Sequence, residues 1–219
     1  MKKFDVRRLA VLAMFCALSF VMVLLGRVIP DVAGFLSYDP KDAMIAIAGC
    51  IFGPLSSVII SVVVSLIELI SISGTGIYGF IMNVFSTCAF AVPVALIYKK
   101  DRSFKGALIG LIVGVFSMTA CMLLWNYIIT PYYMNVPRSV VTGMLLSTFL
   151  PFNFIKGGIN LALTLVLYKP IVTTLRKAHL LPSGEEETKK KGTQFSILLL
   201  AAFLLVTFVL LFLIFAKVL

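Results

Sequence analysis

The chain has 219 residues, of which 61% are hydrophobic and 13% charged, an apolar share that excludes an ordinary soluble domain. Apolar runs recur from one end to the other, so the sequence reads as one polytopic membrane protein with no soluble globular unit. The net charge of +10 does not point to nucleic acid, because the basic residues cluster in short segments between apolar runs, as topology signals do.

Met1-Lys-Lys-Phe-Asp-Val-Arg-Arg8 precedes an apolar run at about 9–29. The run is too long for the core of a cleaved signal peptide and no small-x-small site follows, so it is a first membrane span with a cytoplasmic N-terminus. Ala10, Ala13 and Ala17 line one side of it, where small residues let a partner helix come close. Residues 30–41 are a loop marked by Pro30-Asp31, Gly34 and Asp39-Pro40. Its stretch Phe35-Leu-Ser-Tyr-Asp-Pro-Lys-Asp42 is suited to lie over a pocket on the outer side, with Asp42 expected as the cap of the next helix.

From 42 to 73 the chain is apolar for longer than one span needs, and Gly53-Pro54 divides it, because proline disfavours helix at the preceding residue and glycine permits a tight turn. The short span, at about 43–52, cannot cross roughly 30 Å of hydrocarbon alone and is expected to be packed inside the bundle or extended by its flanks. Glu68, near the outer end of the longer span at about 55–72, reads as an exposed interfacial carboxylate or as the partner of a ligand or lysine. After the turn Ser73-Gly-Thr-Gly76, a span at about 77–98 carries Tyr78 and Asn83 in its outer third. Lys99-Lys-Asp-Arg-Ser-Phe-Lys105 is a compact basic loop, assigned to the cytoplasmic side.

Gly106, Gly110 and Gly114 repeat at four-residue intervals along the next span, about 104–129, as a close-packing seam does. Trp125-Asn-Tyr-Ile-Ile-Thr-Pro-Tyr-Tyr133 ends it in an interfacial aromatic belt, with Asn126 and Thr130 one turn apart. A sixth span covers about 151–175, with a shorter helical piece at 140–150 ahead of it. The charged stretch 182–193 is a linker that cannot build a core, and 194–219 holds a seventh, uninterrupted apolar span that reads as an anchor. Residues 1–181 thus form a six-helix domain with an added C-terminal span, and seven crossings place the C-terminus outside.

Cys16, Cys50, Cys88 and Cys121 all fall inside apolar runs without paired spacing, so neither a disulfide framework nor a zinc site is indicated. The single histidine, His179, lies in a basic tail, which leaves an intramembrane catalytic site little to draw on. No phosphate-binding Gly-x-x-x-x-Gly-Lys-Ser/Thr pattern occurs, so any ATP would be spent by another subunit.

The exception to apolar uniformity is Phe152-Asn-Phe-Ile-Lys-Gly-Gly-Ile-Asn160. A lysine at the bilayer centre costs roughly 2.5–3.5 kcal/mol, and Asn153, Lys156 and Asn160 share one helical face. That face must look into protein or a wet cavity, unless Lys156 snorkels to the interface. Tyr38, Asp39, Lys41, Tyr78, Asn83, Asn126 and Thr130 come out near the same outer level. One outward-opening pocket would collect them, with aromatic residues to stack on a planar ligand.

At these residues the sequence resembles the riboflavin-specific S components of bacterial energy-coupling factor (ECF) vitamin transporters. The matching features are Leu36-Ser-Tyr-Asp-Pro-Lys-Asp42, Ile51-Phe-Gly-Pro54, Gly76-Ile-Tyr-Gly-Phe-Ile-Met-Asn-Val-Phe-Ser-Thr87, Asn126 with Pro131-Tyr132, and Pro151-Phe-Asn-Phe-Ile-Lys156. The resemblance implies an all-α, six-helix membrane subunit, not an enzyme, that takes riboflavin from outside into a pocket closed by the first loop. It also implies docking on a transmembrane coupling protein through Ala13 and Ala17, with energy from two cytoplasmic ATPase subunits. Asn126, Asn153 and Lys156 match positions that hydrogen-bond the flavin, and Leu36 and Tyr38 match the covering loop. The seventh span departs from the family pattern. The competing readings are an S component for another heteroaromatic vitamin, FMN as ligand, and a stand-alone secondary transporter, which would carry internal repeats that this chain lacks.

Overall fold

The computed structural model describes residues 6–32, 36–181 and 191–216, the last without the side chains of 191–196. Lys2 and Lys3, the loop residues Gly34 and Phe35, and the charged linker 182–190 lie outside the described residues. The helices in chain order are α1 (Val6–Gly26), α2 (Lys41–Phe52), α3 (Pro54–Ser71), α4 (Gly76–Lys100), α5 (Phe104–Met134), α6 (Arg138–Met144), α7 (Leu150–Lys177) and α8 (Lys191–Phe215), with a π-helical turn, Leu145–Phe149, joining α6 to α7. Among the described residues six stretches are long and apolar enough to cross a membrane. The architecture is an all-α membrane bundle carrying one extra C-terminal helix.

Apart from α6, which runs on into α7, the exception in length is α2, whose 12 residues span only about 18 Å. It is apolar on nearly every side, and a helix of that kind belongs in an interior. Accordingly α1, α3, α4 and α7 surround it, and Ala43, Ile45, Ala46, Ile47 and Ala48 touch no solvent. The chain reverses at Gly53, whose φ of 97° is open to glycine at little cost, and Pro54 starts α3 where a missing N–H costs nothing. Ser57 Oγ then donates to the Ile45 carbonyl at 3.3 Å, fastening α3 to α2.

The glycine seam on α5 faces α4. A methyl group on Gly114 would lie 2.7 Å from the Phe90 carbonyl oxygen and 2.9 Å from Val94 Cγ2, and one on Gly110 would lie 3.2 Å from the Val94 carbonyl oxygen. Gly114→Val is therefore expected to cost about 1–3 kcal/mol by overpacking. A lowered unfolding temperature in detergent would show it, and an unchanged one would remove the seam.

Two boundaries differ from expectation. The sequence ends the fifth span near residue 129, yet α5 continues through Pro131 to Met134. Proline in the last turn withdraws only one hydrogen bond, and left-handed Asn135 (φ 51°) closes the helix with its N–H on the Pro131 carbonyl. The helical piece before residue 151 does not end there: α6, the π turn and α7 run on continuously, and Asn153 Nδ2 donates to the Phe149 carbonyl where the π turn meets α7.

Alternating direction gathers Gly26, the first loop, Lys41, Ser71, Gly76, Met134 and the start of α7 at one end, here the loop end. Arg7, Arg8, Lys99, Lys100, Arg102, Lys105, Arg176 and Lys177 gather at the other. On α1, Val11, Phe15, Ser19 and Val23 turn inward, while Ala10, Ala13 and Ala17 stay exposed. A second apolar cluster at the loop end joins Val32, Leu36 and Tyr38 of the first loop to Phe149, Phe152, Ile155 and Ile159, and to Phe212 of α8.

Candidate functional site

A cavity of about 270 Å³ opens at the loop end, near the lower limit for small-molecule sites. Val23 of α1 and Arg27 just beyond its end line it, with Asp31, Leu36, Ser37, Tyr38 and Asp39 of the first loop, and Gly74 and Thr75 of the next turn. The other walls are Met82, Asn83 and Ser86 of α4, Met122, Asn126 and Tyr133 of α5, and Phe152, Asn153 and Lys156 of α7. Of the pocket residues expected from sequence, Leu36, Tyr38, Asp39, Asn83, Asn126, Asn153 and Lys156 are thus brought together.

Three others are not on its wall. Tyr78 is 50% exposed and packs its ring on Tyr133 at 6.3 Å between centroids. Thr130 lies behind the wall and donates to Asn126 Oδ1 at 2.8 Å. Lys41 is 1% exposed and is occupied by Asp39, whose Oδ2 lies 2.6 Å from its Nζ, and by Glu68.

Beneath the cavity is a buried polar network that burial of α2 makes necessary. Asp42 is not a cap: Pro40 takes the cap position of α2 with no side-chain hydrogen bond, and Asp42 is completely buried. Its Oδ1 accepts from Thr87 Oγ1 at 2.6 Å, and its Oδ2 accepts from Asn160 Nδ2 at 3.4 Å and lies 3.6 Å from Lys156 Nζ. Glu68 is not interfacial either. At 4% exposure it bonds Lys41 and accepts from Asn83 Nδ2 at 2.9 Å. Lys156 does not snorkel: it is buried, between Asp42 and the cavity.

The first loop is tied to this network. Asn160 Nδ2 donates to the Asp39 carbonyl, and Tyr38 OH donates to Asn160 Oδ1, each at 3.4 Å. Burial, reinforced by the charges of Asp39 and Asp42, holds the Tyr38 phenol well above its ordinary pKa, so it stays a donor. Burial would also raise the Asp39 carboxyl, but Lys41 and Lys156 outweigh it and hold the group below the usual range. Asn160 was assigned to the helical face but not to the site, and nothing in an apolar stretch singled out Met82, Ser86 or Met122. Ser86 is the more informative omission, since its buried hydroxyl has no partner among the described residues.

The wall can donate and accept hydrogen bonds over a planar ligand. Asn126 and Asn153 donate one N–H each to the carbonyls one turn back, Met122 and Phe149, both at 2.8 Å. That fixes their orientation and leaves part of each amide to the cavity. At 3.6 Å, Lys156 Nζ is beyond hydrogen-bond distance of Asp42, so its donors are open to a ligand. Three carboxylates, Asp39, Asp42 and Glu68, meet two ammonium groups, Lys41 and Lys156, leaving one negative charge in excess when all are ionised. Among the described residues no group of His, Cys, Asp and Glu is placed to hold a metal ion.

Residues 7–168 match the family described as ECF transporter, substrate-specific component. The chain belongs to this family. It is 28% identical over 188 residues to the riboflavin transporter FmnP of Bacillus subtilis (strain 168), covering 80% of this chain and 98% of that one. The riboflavin transporter RibU of Staphylococcus aureus (strain TCH60) is 26% identical over 182 residues, covering 78% and 93%. A solved structure described as the S component of a bacterial ECF transporter superposes with a TM-score of 0.66 at 27% identity, covering 77% of this chain and 97% of that one. This family member is a multi-pass membrane protein of transport, and its relatives are transporters rather than enzymes.

Proposed function

We propose that the chain is the riboflavin-binding subunit of an ECF transporter. It takes up riboflavin at the loop end, on the outer side of the bacterial cell membrane, and closes the first loop over it. The observation that carries this reading is the convergence of Asn126, Asn153 and Lys156 on a loop-covered cavity, in a chain related to two riboflavin transporters. Asn83 and Asp39 add an amide and a carboxylate to the wall. Purification in detergent followed by an absorption spectrum tests the substrate class: a co-purifying or titratable yellow flavin is expected, and absence of flavin binding by the folded protein overturns it.

The surplus negative charge bears on which flavin enters. Riboflavin is neutral, whereas FMN adds a phosphate dianion to a site whose buried network already carries one surplus negative charge, and the one further cation on the wall, Arg27, is offset there by Asp31. FMN is expected to bind at least about tenfold more weakly. Competition between the two flavins in a fluorescence titration decides it, and equal affinities would take the charge balance out of the specificity.

The exposed small face of α1, Ala10, Ala13 and Ala17, fits a transmembrane coupling protein driven by two cytoplasmic ATPase subunits. Ala13→Leu is expected to impair uptake in cells while leaving flavin affinity unchanged. Loss of binding with intact assembly would assign that face to the pocket. The basic end is placed in the cytoplasm, so α1 to α8 leave the N-terminus inside and the C-terminus outside. Labelling of a tag at each end tests this, and equal protection of the two would overturn it.

A further inference from the structure

The family match stops at residue 168, so α8 lies beyond it, and its apolar sequence alone says only that it is an anchor. Its contacts say more. Phe208 lies so close over Gly158 of α7 that any side chain there would collide with its ring, and its ring meets Phe154 at 6.4 Å between centroids. One turn on, Phe212 is 2% exposed although the surface of α8 around it is turned outward: Leu210, Leu211 and Ile214 are all exposed. The Phe212 ring stands 5.6 Å from the ring of Tyr38 and 6.3 Å from that of Phe152, and both of those residues line the cavity.

Tyr38 is therefore held at two points. Asn160 takes its hydroxyl, and Phe212 packs against its ring. The polar tie comes from α7 and the apolar one from α8, a helix outside the family match. We propose that α8 is a built-in clamp on the first loop, with Phe212 as a positioning residue that keeps Tyr38 over the cavity and so slows escape of the ligand. This rests on the riboflavin-binding reading only for the identity of the ligand. The physical basis is the aromatic contact between Phe212 and Tyr38, which adds attraction beyond area burial. It acts in the closed loop and not in the open one, whereas the contact with Phe152 joins α7 to α8 in both, so it bears on dissociation more than on association.

The test uses the full chain in detergent with riboflavin as probe. Stopped-flow quenching of flavin fluorescence is expected to show dissociation about tenfold faster in Phe212→Ala, with association within about twofold of wild type. Phe212→Leu, which keeps most of the volume, should recover most of the slow rate. Phe203→Ala, at a lipid-facing position 68% exposed, should leave both rates unchanged. A second measurement needs no ligand: Ser37→Cys in the loop, labelled with a water-soluble maleimide against the background of the four native cysteines, should react faster when Phe212 is alanine. Unchanged dissociation in folded Phe212→Ala, or an equal acceleration in Phe203→Ala, overturns the clamp. If the wild-type protein binds no flavin, the ligand assignment fails, and the labelling rates alone then decide for or against the clamp.

Discussion

Lys41→Met is expected to destabilise the protein by about 3–5 kcal/mol, the usual cost of removing one partner from a buried ion pair. Methionine keeps the apolar stem and removes only the charge. Among the described residues Lys41 is the cation touching both Asp39 and Glu68, so its loss leaves both carboxylates without their ion-pair partner in the largely buried network beneath the cavity. Unfolding in detergent, followed by helix content, measures the effect. The pH dependence carries the sharper test. In the wild type the Asp39 carboxyl is held below its ordinary range, so its stabilising contribution is complete above the unfolded value of about 3.9. That contribution is lost only as pH falls through the lower folded value, and is flat between about pH 5 and 8. Without Lys41, burial dominates Asp39 and raises its pKa above the unfolded value. The sign then reverses, and Lys41→Met should be more stable at pH 5 than at pH 8. A variant with the wild-type pH profile would show that Lys41 is not the counter-charge of Asp39.

The bundle was legible because a membrane imposes length: uninterrupted apolar runs of about 20 residues have few other uses. The intramembrane face of Asn153, Lys156 and Asn160 was legible for the converse reason, since polar groups on such a run must find protein or water. Asp42 was misassigned as a cap, and Glu68 was left between an interfacial carboxylate and a lysine partner, of which the pairing with Lys41 bears out the second, because both roles depend on where α2 sits. A helix of twelve residues, all but Lys41 and Asp42 apolar or glycine, does not declare that four helices enclose it, and once they do, Asp42 and the nearby Glu68 of α3 become buried and must be paired. Tyr78 was separable in principle. It stands five residues before Asn83, a rotation of about 140° along a helix at 3.6 residues per turn, so both could not face one cavity. The contacts of α8 were not legible at all, because phenylalanines in an apolar run carry no sign of which ones meet the first loop.

The role of Lys156 divides into two effects that a single substitution would confuse. Lys156→Met leaves Asp42, completely buried, without the ammonium 3.6 Å away, and should cost about 3–5 kcal/mol of stability. It should also weaken riboflavin binding, by about 1–3 kcal/mol for a ligand acceptor left unpaired, or about 5- to 150-fold. Adding Asp42→Asn separates them. Asparagine is neutral, fits the same space, and its amide oxygen can still accept from Thr87, which now donates to Asp42 at 2.6 Å. The double variant should therefore recover most of the lost stability, because it removes Asp42's charge together with its counter-charge and returns the network to the wild-type balance of one surplus negative charge. It should not recover affinity, because the donor that faces the cavity is still missing. Thermal unfolding and flavin-fluorescence titration on the three variants read the two quantities independently. Recovery of affinity together with stability would mean that Lys156 serves only to neutralise Asp42, and the polar contact to flavin would then fall to Asn126 and Asn153.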